Sequence, residues 1–354
     1  MTMFKLKNIA LVQIVIIILL LIIIVKLSFF SSQFPPKSDV PDGPNQGFLS
    51  PRVYTGLVKP HNFTVMNFVP LKTALMEFMT KNQLNMSVYV ENLKSGASLG
   101  INEKDEYLPA SLTKVLVAIL VLRQVERGKI TLDTLIDINP SDRLDTAGSL
   151  FMSSEQRLSL RTLLTAMLNE SDNTALRILK RYTDHEDNTM IVKYLGYYTT
   201  GDIDKKDIGD NAEADLITPK VMYNLFSSLY LSALLTPEHS EFFLSSMVDT
   251  IFDIEEKAEL PDEVTVAHKF GARYVEGIQC FHDCGIMYVQ SKDMRIFYCI
   301  MTKDLDEQIA MDITGKIVNT IYSYSVNTRK RFDQYNQEWH ASLEKPLKGE
   351  PQLK

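Results

Sequence analysis

In the stretch "LPASLTKVLVAIL", Leu108 to Leu120, a serine and a lysine stand three residues apart, just after a proline and at the start of an apolar run. Side chains at i and i+3 of one helix share a face, so Lys114 is placed to take the proton of Ser111 and make it a nucleophile. Pro109 puts Ser111 in the first turn, where the helix N-terminus favours negative charge developing beside it. Two further motifs could complete such a site. Ser171-Asp172-Asn173 brings a second hydroxyl and an amide in a loop between two helices, and His268-Lys269-Phe270-Gly271 brings a second ammonium at the close of a predicted strand "VTVAHK". Taken singly, each has a plain structural reading: Ser111 starts a helix, Ser171 or Asp172 caps one, and Lys269 is a solvated strand-end lysine. Together, each sits where acyl-transfer chemistry needs it.

The elements that must position these groups follow from periodicity. Helical spacing begins at "LKTALMEFMTKN", and "MSVYVENLKSGASLGINE" alternates as a strand, turns at Ser95-Gly96 and starts a second strand. Ser111 to Arg127 reads as a buried helix closed by Gly128, and "SLRTLLTAMLNE" and "NTALRILKRY" read as two more. Thr218-Pro219 and Thr236-Pro237 each place Thr at a cap and Pro at the first helical position. Strands return with "EVTVAHKFG", "QCFHDCGIMYVQ" and "MRIFYCIMTKD", and a final amphipathic helix covers "IAMDITGKIVNTIYSY". Strands, helices, strands and a helix in that order give an α+β domain: one antiparallel sheet, built from both ends of the chain, packs beside a helical lobe, with the catalytic groups at the seam.

This folded domain is expected over residues 65–325. Upstream, residues 9–30 form an apolar run interrupted only by Gln13, Lys26 and Ser28, long enough to cross a bilayer as a helix. Lys5 and Lys7 precede it, so residues 1–8 are expected in the cytoplasm and everything after about residue 30 outside it; the rival is a cleaved signal peptide. Residues 31–64, rich in Pro, Gly and polar residues, read as an extracytoplasmic tether, and 326–354 as a polar tail without a core-forming pattern. A net charge of −7 with no long basic block argues against nucleic acid as the main partner. Three cysteines, Cys280, Cys284 and Cys299, lack the paired spacing of a zinc site and read as buried small residues. On neighbouring antiparallel strands, Cys299 could meet one of the others and leave an odd thiol. His268 and His282, on strands near the cleft, read as satisfied structural histidines, and no metal or cofactor is expected.

The motif set S-x-x-K, S-D-N and K-x-G resembles that of the serine penicillin-recognising enzymes, the class A β-lactamases in particular. Ser171 follows Ser111 by 60 residues and Lys269 follows it by 158, a layout similar to class A. The opening helix and hairpin, the "DLITP" segment and the closing strands and helix extend the resemblance to roughly residues 65–325. It implies the β-lactamase/transpeptidase-like fold, with Ser111 acylated and Lys114 as its base, the lysine pKa lowered by burial and by Lys269. Ser171 would relay a proton to the leaving group, Asn173 would hold the substrate amide, and Lys269 would orient Ser171 and attract a substrate carboxylate. The N–H groups of Ser111 and Ala272 would form an oxyanion hole, and Gly271 would let a substrate backbone approach closely.

Two departures from the family pattern stand out. Phe270 replaces the hydroxyl residue that bonds a substrate carboxylate, and Arg273 is the candidate substitute. The E-x-x-L-N segment whose Glu positions the deacylating water is missing from "YYTTGDIDKKDIGDNAEADLITP", which offers Asp202, Asp204, Asp207, Asp210, Glu213 and Asp215 instead. An acidic run of this kind usually forms a solvated loop. The expectation is a membrane-anchored extracytoplasmic serine hydrolase acting on peptidoglycan stem peptides, D,D-peptidase-like, with slow β-lactam acylation. A true class A β-lactamase and a catalytically weak wall-fragment binding or sensing module are the alternatives.

Overall fold

Alternating apolar positions and capped helix starts lay out the elements in order along the computed structural model, which describes residues 66–195, 216–275 and 277–343. The expected anchor (9–30), the tether and the acidic segment 202–215 lie outside these residues. Helix α1 (Val69–Lys81) leads to the hairpin of β1 (Met86–Asn92) and β2 (Ser98–Ile101), turned at Gly96 with φ +74°. A single 3-10 turn, Ala110–Leu112, runs directly into α2 (Thr113–Glu126). A small two-stranded sheet of β3 (Leu135–Asp137) and β4 (Arg157–Ser159) precedes α3 (Leu160–Asn169), α4 (Asn173–Leu179) and α5 (His185–Leu195). Then come α6 (Pro219–Tyr230) and α7 (Pro237–Ser245), whose first N–H groups are capped by the Thr218 and Thr236 side chains as their sequences require. The short α8 (Ile254–Lys257) precedes β5 (Val264–Val275), β6 (Ile278–Val289) and β7 (Met294–Thr302), and α9 (Glu307–Leu343) follows.

The main sheet is antiparallel with strand order β2-β1-β7-β6-β5, so the two ends of the domain meet at the β1–β7 pairing. One face buries Tyr89, Phe297, Cys299 and Met301 against the helical lobe, whose centre is α2 with every residue from Val115 to Leu122 buried. A helix apolar all round needs neighbours on all sides, and α2 has them in α3, α4 and the sheet side of the lobe. The other face buries Val88, Val90, Tyr298 and Ile300 under α1 and α9, through Leu71, Leu75, Ile317 and Ile321. Each such aliphatic side chain contributes about 1.5–3 kcal/mol of transfer free energy. The β5 strand forms one edge of this sheet, beside the start of α2.

Two expectations change, and the cysteine pairing left open by the sequence takes one form. The β5 strand continues past Gly271 to Val275, which places Lys269 in mid-strand, 0% exposed, instead of at a solvated end. Helix α9 runs 37 residues to Leu343, well into the segment expected as a tail. There Arg329 Nε bonds Asp333 at 2.8 Å and Gln334 bonds Glu338 at 3.0 Å, pairs that carry a polar helix onward without a core. Cys284 and Cys299, directly opposite in the β6–β7 register, are joined in a disulfide, and Cys280 is a buried free thiol. Among the described residues no helix is long and apolar enough to cross a membrane.

Candidate active site

The 3-10 turn that carries Ser111 is held in an uncommon conformation, since Ala110 before it has φ +47°. Leu112 N–H donates to the Pro109 carbonyl at 3.0 Å, so the Ser111 N–H lies ahead of the first bond of the turn. Two contacts fix the turn against the sheet. A Cβ at Gly271 would lie 3.0 Å from Ser111 N and 3.2 Å from Leu112 N, so only glycine lets β5 come this close. The close approach expected for a substrate is thus taken up by the chain's own nucleophile turn. One residue across, His282 Nε2 bonds the Leu108 carbonyl at 2.8 Å.

Lys114 is the centre of the site. Its Nζ lies 3.0 Å from Ser111 Oγ, 2.9 Å from Ser171 Oγ and 2.5 Å from the Ser171 carbonyl, with the residue 1% exposed. Burial pulls its pKa down to about 7, and the Asp172 carboxylate works in the opposite direction. A neutral amine there has two hydrogens for Ser171 and one lone pair for the Ser111 hydroxyl, the arrangement proton abstraction requires. Ser171 reaches this position with φ +58°. Asp172 then caps α4, accepting from Ala175 N at 2.7 Å, and its other oxygen accepts from Leu150 N at 2.8 Å. Asp172 is thus the N-cap of α4, which leaves the Ser171 hydroxyl to Lys114. Gly148, at φ +92°, leaves the room that Asp172 fills. Asn173 Nδ2 donates to Thr146 Oγ1 at 2.7 Å.

Lys269 is present but arranged differently from the expectation. Its Nζ donates to the Phe270 carbonyl at 3.0 Å and sits 4.2 Å from the centroid of the Phe270 ring. Among the described residues, the Ser171 hydroxyl is held by Lys114 and not by Lys269. Burial first, then repulsion from Lys114, pushes the Lys269 pKa well below the usual lysine range, and Asp283 opposes both. Each amine therefore disfavours a charge on the other, in addition to the burial that lowers both.

The free edge of β5 supplies a row of N–H groups. Val264, Val266 and His268 donate outward to the Pro261 carbonyl, the Glu255 carboxylate and the Met247 carbonyl at 2.9, 2.8 and 3.0 Å. Strand alternation points the N–H groups of Phe270 and Ala272 to the same edge. Arg273 is half-buried on the face of β5 that also carries Lys269 and Gly271.

Both histidines are fully buried and bonded. His268 lies between Asp283 Oδ1 at 2.6 Å and Thr250 Oγ1 at 2.9 Å, and Tyr298 OH donates to the other Asp283 oxygen at 2.6 Å. Sequence reasoning missed Asp283 and Thr250, because a lone Asp on a strand and a Thr in a connecting segment carry no pattern. Among the described residues, no group of three or more His, Cys, Asp or Glu could hold a metal ion.

The family description "Beta-lactamase enzyme family" matches residues 70–325. Beta-lactamase VEB-1 of Pseudomonas aeruginosa is 24% identical over 252 residues, covering 65% of this chain and 83% of its own. A β-lactamase of Chitinophaga pinensis superposes with a TM-score of 0.64 at 20% identity, over 72% of this chain and 99% of its own. PBP-A superposes with a TM-score of 0.62 at 20% identity, over 74% and 98%. A mutant of PBP-A, solved as its acyl-enzyme complex with penicillin G, gives 0.60 at 21%, over 72% and 96%. On this match, with the α+β fold and the Ser111–Lys114–Ser171 geometry beside it, the chain belongs to the β-lactamase enzyme family and is a serine hydrolase.

Proposed function

We propose that the protein is a membrane-anchored, extracytoplasmic acyl hydrolase that works through a Ser111 acyl-enzyme, most naturally on peptidoglycan stem peptides. The observation that carries this reading is Lys114: one buried amine, with its pKa near 7, within 3.0 Å of two hydroxyls. Neutral Lys114 takes the Ser111 proton as Oγ attacks the acyl carbonyl, while the N–H groups of Ser111 and Ala272 receive the developing oxyanion. The proton returns through Ser171 to the leaving amine, and water completes the cycle. Asn173 holds the substrate amide. Lys269, its amine against the Phe270 ring and electrically coupled to Lys114, lines the site, and a substrate carboxylate is read by Arg273.

The location reading draws support from chemistry. The apolar run 9–30 is of spanning length, and a buried disulfide belongs to an oxidising compartment, where wall peptides and β-lactams are met. Membrane fractionation of the full chain, with protease added from outside, tests it.

The class A β-lactamase reading is the alternative, and the relatives named above include β-lactamases and PBP-A alike. It differs in one observable. Without a Glu-directed water, the acyl-enzyme formed with a penicillin should persist for many minutes, and Phe270 should make its formation slow. The binding-module reading is opposed by the buried lysine base, which ligand binding does not need. Intact-mass measurement after incubation with a penicillin and with a fluorophosphonate tests all three. A lasting adduct on Ser111 supports the proposal, rapid turnover gives the β-lactamase, and labelling of Ser111→Ala overturns the nucleophile.

A further inference from the structure

We propose that His282 is a positioning residue for the nucleophile: its Nε2–H, bonded to the Leu108 carbonyl, fixes the strained turn that presents Ser111 to Lys114. This role rests on the nucleophile reading above. His282 sits at 0% exposure on β6 and is the direct register partner of Gly271 on β5. Gly271 is the residue against which Ser111 N packs, so the Ser111 turn rests on the Gly271–His282 pair.

The bonds of the ring define its state. Nδ1 accepts from Thr302 N–H at 3.4 Å, which leaves Nε2 to carry the single proton and donate it to Leu108 at 2.8 Å. Burial pushes the imidazole pKa down to about 4 and holds the ring neutral, against the carbonyls of Leu108 and Phe281, which raise it. A neutral donor is what a backbone carbonyl beside a second, catalytic amine can take without adding charge to the site.

One further contact, itself held in place, anchors the ring. Tyr107 meets it edge-on at 5.5 Å between centroids, and the Tyr107 hydroxyl shares a hydrogen bond with Ser87 Oγ at 2.7 Å. Tyr107 also bridges Ile217 through both backbone groups at 2.8 Å, so the same ring contact joins the start of the nucleophile turn to the chain that enters α6. A conformation like that of Ala110, φ +47°, persists only where surrounding structure over-determines it, and the His282 bond is a constraint aimed at that turn.

The test compares acylation of the full chain by a fluorophosphonate and by a penicillin in wild type, His282→Phe and His282→Gln. Phenylalanine fills the space without a donor, and glutamine returns an N–H donor. We expect His282→Phe to keep its far-ultraviolet circular dichroism and a cooperative melt while its limiting acylation rate falls at least tenfold. The half-saturating probe concentration should change little, and His282→Gln should recover most of the rate. A folded His282→Phe acylated at the wild-type rate, or a His282→Gln as slow as His282→Phe, overturns the role. If His282→Phe does not fold, nitrogen-15 spectra of wild type decide: the His282 Nε2–H resonance must shift on acylation of Ser111, and an unmoved resonance overturns the role. A wild type labelled by neither probe overturns the nucleophile itself, a result distinct from a labelled wild type with an unaffected variant.

Discussion

As the proposed base, Lys114 should set the pH dependence of the reaction. As a base it must be neutral, and its pKa near 7, lowered by burial from the usual 10.5, makes that possible at physiological pH. The sign follows directly. Below about pH 7 the amine is protonated in the folded protein and cannot take the Ser111 proton, so acylation should rise with pH and level off above it. Stopped-flow acylation by a fluorophosphonate should show a single midpoint near 7, with about tenfold loss one unit below it; a rate flat from pH 5 to 8 would remove Lys114 as the base. Linkage gives a second sign. A lysine with a depressed folded pKa opposes folding most below about pH 7, and that cost is relieved as pH rises toward the unfolded value. At this scale Ser111, Lys114 and Ser171 were legible in the chain because helical spacing and a short loop fix where their side chains go. The Lys269 environment was not, since its burial comes from a strand that continues past a glycine and from the Phe270 ring folding over the amine.

Between elements, the decisive contact is β5 against the nucleophile turn. An added methyl at Gly271 would press on backbone atoms, Ser111 N at 3.0 Å and the Pro109 carbonyl oxygen at 3.2 Å, and neither can swing away as a side-chain end could. Gly271→Ala should therefore shift the turn by a few tenths of an ångström and slow acylation ten- to a hundredfold, at about 1 kcal/mol of stability or a little more. Rates and urea denaturation of the same preparation check both parts. Helix α9 makes the opposite case. Ile321 is 0% exposed in the core, and Ile321→Ala should cost about 2–5 kcal/mol in urea denaturation. Tyr335, two turns beyond the sheet-covered part, is 62% exposed, so truncation after Phe332 should cost under about 1 kcal/mol and leave acylation unchanged. The long strands and capped helices were readable from alternation and Thr-Pro starts. The three-residue strands β3 and β4 were too short for any period to show, and the far half of α9 has side-chain pairs in place of an apolar stripe.

Across the whole sheet, one row of residues on the lobe face runs from Lys269 to Cys284, Cys299 and Tyr89, each the register partner of the next. The disulfide lies in the middle of that row and ties β6 to β7 over a sequence separation of 15. Closing a loop of that size restricts the unfolded chain by about 3 kcal/mol in the chain-entropy account. The bond sits on the sheet, whereas Ser111, Lys114 and Ser171 are carried by the lobe, so stability and catalysis should respond differently to its loss. The Cys284→Ala, Cys299→Ala double variant should lose about 3 kcal/mol by urea denaturation, yet below its unfolding transition it should acylate within about threefold of wild type. Thiol titration of the denatured wild type should find one group, Cys280, before reduction and three after it. Three thiols before reduction, in protein from cells whose thiols were trapped at lysis, would mean that the Cys284–Cys299 bond does not form in the cell. The proposed extracytoplasmic location would then lose the support that the paired cysteines lend it, because a reducing compartment keeps such thiols apart.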